Sequence, residues 1–246
     1  MPIPEGVVAK KQLVLFFLID TSGSMAGDKI AAVNTAMREL IPELQKLADP
    51  DDNLDSEIEV AVIEFNNTAN WKTGEHKPVS VKNFVWTELT ADGGTNLGDA
   101  CDKLSEKMQR GKFLWDHNLF APVLILMSDG YPNPGYEKGL GKLKSNEFFA
   151  NKDSKGKYKE KSIKVACAIE TDNEKADKNV LAEFTENPEL VYTAKNITAL
   201  KNWIKFIAIA SSVASIHNDG PETMTAKLEQ FKEEEDKVSV SSADDF

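Results

Sequence analysis

Three short stretches hold the side chains whose types and spacing can do chemistry. "DTSGS" sets Asp20, Ser22 and Ser24 at alternate positions, "GGTN" offers Thr95, and "SDG" offers Asp129. All five present oxygen, with no histidine or thiolate among them. Hard donors of this kind select Mg2+, Mn2+ or Ca2+ over zinc or copper. Gly23 permits the bend that turns Asp20, Ser22 and Ser24 toward one point, and Gly93 and Gly94 play the same part for Thr95. Two carboxylates balance a divalent cation, while three neutral hydroxyls leave it electrophilic. A further anionic oxygen from outside would complete the shell. Taken singly, "DTSGS" is helix-capping chemistry and "SDG" is turn chemistry. Their conjunction is what points to a metal.

An acid at the end of a first strand can also serve as a phosphoryl nucleophile, so a Mg-dependent phosphatase is the enzymatic alternative. Phosphatases of the haloacid dehalogenase type need D-x-D-x-T, and here Ser22 stands where the second acid belongs. The motif loops offer no histidine or cysteine in its place. "TSGSM" lacks the G-x-S-x-G frame, and no G-x-x-x-x-G-K-[ST] loop occurs. The residues predict a binding site rather than an enzyme.

The elements that must position these loops are legible as apolar runs: LVLFFLI (13–19), IEVAVIEF (58–65), VLILM (123–127) and IKVACAI (163–169). Uninterrupted runs of strand length suit a sheet covered on both faces. Helical spacing connects Ile30, Val33, Met37, Leu40, Ile41, Leu44 and Leu47, and more weakly Leu97, Cys101, Leu104 and Met108. Further helices are expected over 176–186 and 197–216. The alternation predicts an α/β fold, a doubly wound, mostly parallel sheet with helices on both faces. In such a sheet ligands bind beyond the carboxyl ends of the strands, where all three oxygen-bearing loops emerge. "HKPVSVKNFVW" (76–86) reads as an antiparallel edge strand, preceded by turn chemistry in "NTANWKTGEHKP".

One domain is expected over residues 1–216. An acidic, flexible tail is expected over 217–246, with a short amphipathic helix carrying Met224, Leu228 and Phe231. The net charge of −11 argues against nucleic acid and favours proteins or metal ions as partners. Cys101 and Cys167 stand far apart, which predicts reduced thiols and a cytoplasmic setting; His76, His117 and His217 lack the spacing of a zinc ribbon. No apolar run approaches the roughly 18 residues of a spanning helix, so no membrane anchor is expected. The lysine-rich segment 135–162 is expected on the rim beside Asp129, as a solvated helical surface or as a selector of acidic partners. Met25, Tyr131 and Tyr136 flank the site as an apolar collar or as loop packing, and Trp71, Trp86, Trp115 and Trp203 read as packing residues.

D-T-S-G-S at 20–24, G-G-T-N at 93–96 and M-S-D-G at 127–130 together resemble the metal-ion-dependent adhesion site (MIDAS) of von Willebrand factor type A domains. The resemblance covers about residues 10–216, with the motifs in the family's order. It implies a Rossmann-like fold and a bound Mg2+. Ser22 and Ser24 would coordinate the metal directly and Thr95 directly or through water. Asp20 and Asp129 would act through waters and hydrogen bonds. It further implies a noncatalytic protein-binding module in which a partner's Asp or Glu completes the coordination. Within the family, the chain resembles the bacterial cytoplasmic TerY-like proteins of tellurium-resistance and kinase/phosphatase gene neighbourhoods, although it lacks the cysteine-rich ribbon some of those carry. An adaptor for an AAA-type ATPase is the alternative within the binding class.

Overall fold

The computed structural model describes residues 10–48, 56–115, 118–150, 162–171, 173–216 and 221–241. The first apolar run becomes β1 (Lys11–Asp20), at the centre of the sheet. Its alternate side chains part company. Leu13, Leu15, Phe17 and Ile19 enter one core, and Val14, Phe16 and Leu18 enter the other. A strand that must satisfy two cores has no position left for a polar residue, which is why the run is apolar throughout.

Beside β1 lie β2 (Ser56–Phe65) and β5 (Val123–Ser128), followed outward by β6 (Ile163–Ile169) and β7 (Val191–Ala194). All of these pairs are parallel. On the other edge, β3 (Ala69–Thr73) and the short β4 (Val79–Ser80) both pair antiparallel with β2. The α/β, mostly parallel, doubly wound architecture is thus the one expected. Its edge differs in detail: the longer antiparallel strand falls within the stretch read as turn, and of 76–86 only Val79–Ser80 pairs. Asn66 and Asn67 make the turn, and the alternation of Ala69, buried, with Asn70, exposed, suits an edge strand. β7 escaped the sequence reading because "VYTA" is too short and mixed to show a period.

Helices cover both faces. One carries α1 (Asp28–Leu47), α6 (Ile197–Ile216) and α7 (Pro221–Ser241); the other carries α2 (Leu97–Lys107), α3 (Tyr136–Lys144), α4 (Glu147–Ala150) and α5 (Lys178–Thr185). α2 and α3 meet backbone to backbone: a Cβ on Gly139 would lie 1.9 Å from the Gly98 carbonyl oxygen. Only glycine allows that approach.

α7 departs from the expected flexible tail. Met224 and Leu228 are fully buried, and Phe231 stacks on Phe206 with ring centroids 4.5 Å apart. Removing that apolar stripe from water outweighs the solubility of the flanking acids, so α7 docks on the core through Met224, Leu228 and Phe231. Cys101 on α2 and Cys167 in β6 are free and buried. Trp203 is fully buried and stacks on Tyr192, whereas Trp115 is exposed. Among the described residues no helix is long and apolar enough to cross a membrane.

Candidate metal centre

Strand register builds the site. Asp20 ends β1, and the pairing of Ile19 with Met127 brings it level with Ser128 at the end of β5. The Asp20 carboxylate is fully buried; Oδ1 accepts the Ser22 amide at 2.8 Å and Oδ2 accepts the Ser128 hydroxyl at 2.6 Å. Burial pushes its pKa up to about 6, against the lowering effect of those same hydrogen bonds. The turn so fixed aims the two serines at one point, with Ser22 Oγ 3.0 Å from Ser24 Oγ.

The second loop is strapped to the first. Gly23 N–H donates to the Gly93 carbonyl at 2.9 Å, and Asp92 N–H donates to the Thr21 carbonyl at 2.8 Å. Thr95 is buried, its amide donating to Asn133 Oδ1 at 3.2 Å and its carbonyl accepting from the Asn133 amide at 2.8 Å. Asn67 Oδ1 accepts from Gly94 N–H at 2.8 Å, and Asn96 caps α2 by accepting from Asp99 N–H at 3.1 Å. Two asparagines from neighbouring loops therefore clamp the segment that presents the threonine.

The third loop contributes Asp129, also buried. Its Oδ2 accepts from Lys29 Nζ at 3.2 Å, while its Oδ1 has no hydrogen-bond partner. A buried carboxylate oxygen without a donor is costly, and a cation is the group that would satisfy it. Gly130 follows at φ +83°, and a Cβ there would lie 2.0 Å from the Asp177 carbonyl oxygen. The Asp177 amide in turn donates to the Asp129 carbonyl at 2.8 Å.

All five sequence-predicted residues thus stand on loops at the carboxyl ends of β1 and β5 and before α2, cross-linked to one another. Among the described residues no cluster of three or more His, Cys, Asp or Glu could hold a metal.

The sequence reading missed several neighbours. Ser128 and the two asparagines carried no signal beyond turn chemistry. Lys29 carried one: a cation in the first turn of a helix opposes the macrodipole, and such local violations gather at functional sites. Its ammonium is buried and donates to the Ser24 carbonyl at 3.0 Å, to Asp129 and to Glu174, whose Oε2 lies 2.7 Å away. Burial alone would lower its pKa, but Glu174 and Asp129 leave it raised. The same contact holds the Glu174 carboxyl below the usual range.

Other expectations change. Met25 is fully buried and belongs to the core, not to a collar. Tyr131 stays exposed at the rim with its hydroxyl donating to the Lys175 carbonyl, and Tyr136 donates to Glu183. α3 leads the lysine-rich segment away from the rim. Its start packs on Gly98 near the head of α2, whereas Lys142 pairs with Asp102 and Asn146 caps the far end by donating to the Met108 carbonyl. Lys155 and Lys157 lie outside the described residues. Among the described residues the cation that reaches the oxygen cluster is Lys29.

Comparison with known proteins agrees with this fold. The von Willebrand factor type A domain model matches residues 15–206. Human inter-alpha-trypsin inhibitor heavy chain H2 is 30% identical over 155 residues, which are 59% of this chain and 14% of that protein. The chain thus spans about one seventh of the length of such curated relatives. The pilus adhesin SpaC from Lactobacillus rhamnosus GG superimposes with a TM-score of 0.56 at 13% identity, covering 85% of this chain and 31% of that one. Proximal thread matrix protein 1 from the mussel byssus, in a structure with a zinc occupied MIDAS motif, does so with a TM-score of 0.52 at 17% identity, covering 85% and 47%.

Proposed function

This chain belongs to the von Willebrand factor type A domain family, and from that premise we propose that it is a noncatalytic, metal-dependent protein-binding module. In this reading Ser22, Ser24 and Thr95 supply neutral oxygens to a divalent cation, and Asp20 and Asp129 supply the balancing charge. The metal, when bound, supplies a Lewis-acidic position that a partner's Asp or Glu completes. The observation that carries the reading is the orphaned, buried Oδ1 of Asp129 on a rim where two serine hydroxyls converge 3.0 Å apart. The mussel protein's zinc occupied MIDAS motif supports a divalent cation on a similar fold. The all-oxygen donor set favours Mg2+, with Mn2+ or Ca2+ as substitutes.

The chain's own residues perform the rest. Ser128 and the Ser22 amide hold Asp20 in one rotamer, and Asn67 and Asn133 hold the Thr95 loop, so little ordering remains when the metal arrives. A noncatalytic role is supported by Ser22 standing where a phosphatase needs its second acid, and by thiols that are poor nucleophiles: burial pushes Cys101 up to about 12 and raises Cys167 further. A cytoplasmic, bacterial, TerY-like setting in a tellurium-resistance or kinase/phosphatase system belongs to the same proposal and rests on the sequence resemblance.

Affinity purification of partners with Mg2+ and with EDTA tests the reading. Capture is expected in Mg2+, lost in EDTA and lost in Ser22→Ala, with the variant's circular dichroism unchanged. Undiminished capture in EDTA overturns it.

A further inference from the structure

The Lys29–Glu174 contact is not needed to hold a metal, and it has an odd shape. Lys29 is a cation only 4% exposed, fixed by the Ser24 carbonyl and by Asp129, while Glu174 is 63% exposed and arrives from the loop after β6. A buried ammonium needs a full set of acceptors. Two of its acceptors belong to the rim itself, and the third is a solvent-exposed carboxylate on a neighbouring loop. From these contacts we infer that Lys29 is a second docking point for the partner, and that Glu174 occupies it as an internal stand-in. The proposal rests on the metal-dependent reading above and names its partner class: a protein segment with two acidic side chains, one for the metal and one for Lys29.

Charge bookkeeping supports the assignment. Asp20, Asp129 and Glu174 against Lys29 leave two negative charges, which a divalent cation cancels. With Glu174 swung outward, Asp20, Asp129 and Lys29 together with the divalent cation carry one net positive charge, which attracts a second carboxylate. Lys29 also lines a cavity of about 380 Å³ together with Asp28, Glu170, Thr171, Lys195 and Asn196, where Glu170 is already paired with Lys175 and Lys178, so a segment that reaches Lys29 has a recess beside it. Lysine-rich α3, which turns away from the rim, cannot play this part.

The full chain is titrated by NMR, at Mg2+ concentrations saturating each protein, with a capped tetraglutamate peptide and with a peptide of one glutamate and three glutamines. Four acids against one give a statistical advantage of fourfold. The wild type is expected to exceed it, and Glu174→Gln to bind tetraglutamate about fivefold tighter than wild type, the factor expected for removing a competing, partly exposed ion pair. Lys29→Gln falls back to about fourfold discrimination, and Lys29→Arg restores it. Glu174→Gln binding no tighter than wild type, or Lys29→Gln keeping its discrimination, overturns the docking role while leaving the metal site standing. Failure of the wild type to bind Mg2+ removes the metal site, and the docking role with it.

Discussion

At the scale of single residues the oxygen cluster costs the metal-free fold stability. Asp20 is the clearest case, because its folded pKa of about 6 lies above the ordinary 3.8. Between those values the folded protein holds a proton that the unfolded chain has released. Stability of the metal-free protein therefore falls as pH rises through that window, by up to about 3 kcal/mol. Asp20→Asn removes this slope: in EDTA the variant is expected to be more stable than wild type above pH 6 and indistinguishable from it near pH 4. The same variant is expected to lose Mg2+ binding, which makes the two expected effects opposite in sign. Chemical denaturation at several pH values and a calorimetric Mg2+ titration measure them. A variant that is destabilised at all pH values would show that the Asp20 carboxylate is structural. The opposing Glu174, held below its usual range by Lys29, contributes stability above the carboxylate range that is lost on acidification, so the comparison is made against wild type at each pH.

At the scale of elements, what presents the side chains is the backbone between them. Gly130 sits at positive φ with the Asp177 carbonyl where a Cβ would go, so Gly130→Ala strains the turn and pushes the loop before α5 away from Asp129. A loss of about 3 kcal/mol or more is expected, together with weakened metal binding. The Thr95 loop is held more gently. Asn67→Ala removes the acceptor of Gly94 N–H and is expected to cost about 1 kcal/mol in stability while weakening Mg2+ severalfold, since the threonine is then less well ordered. α7 makes the same point for the core: Leu228 is fully buried, and Leu228→Ala is expected to cost about 2–4 kcal/mol by thermal unfolding, as no mobile tail would. The stretch reads as acidic tail in sequence because its apolar residues are few. They are decisive only because α6 and β7 offer Phe206 and Tyr192 to receive Phe231.

At the scale of the whole molecule, the proposed metal binding would be linked to folding. A ligand at a hundred times its dissociation constant stabilises the native state by about 2.7 kcal/mol, which for a domain of this size raises Tm by roughly 5–10 °C. Mg2+ is expected to produce that rise, reversed by EDTA, and no rise at saturating Mg2+ would argue against a metal centre at this rim. The division between sequence and tertiary structure follows the range of the forces involved. The sequence by itself determined the central strands, because a strand between two cores must be apolar at every position, and the oxygen-bearing loops, because hydroxyls and acids beside glycines are a local signal. It also determined that the first loop lacks the second acid of a D-x-D-x-T phosphatase motif, since Ser22 stands in its place. Only the tertiary structure decided which strand forms the antiparallel edge, that Met224, Leu228 and Phe231 of α7 pack on the core, that α3 carries its lysines away from the rim, and that Lys29 reaches Asp129 across 100 positions. These depend on which distant groups meet, and burial gives such meetings their energy; a lysine in a helix's first turn reads as surface charge until the carboxylates that surround it are in place.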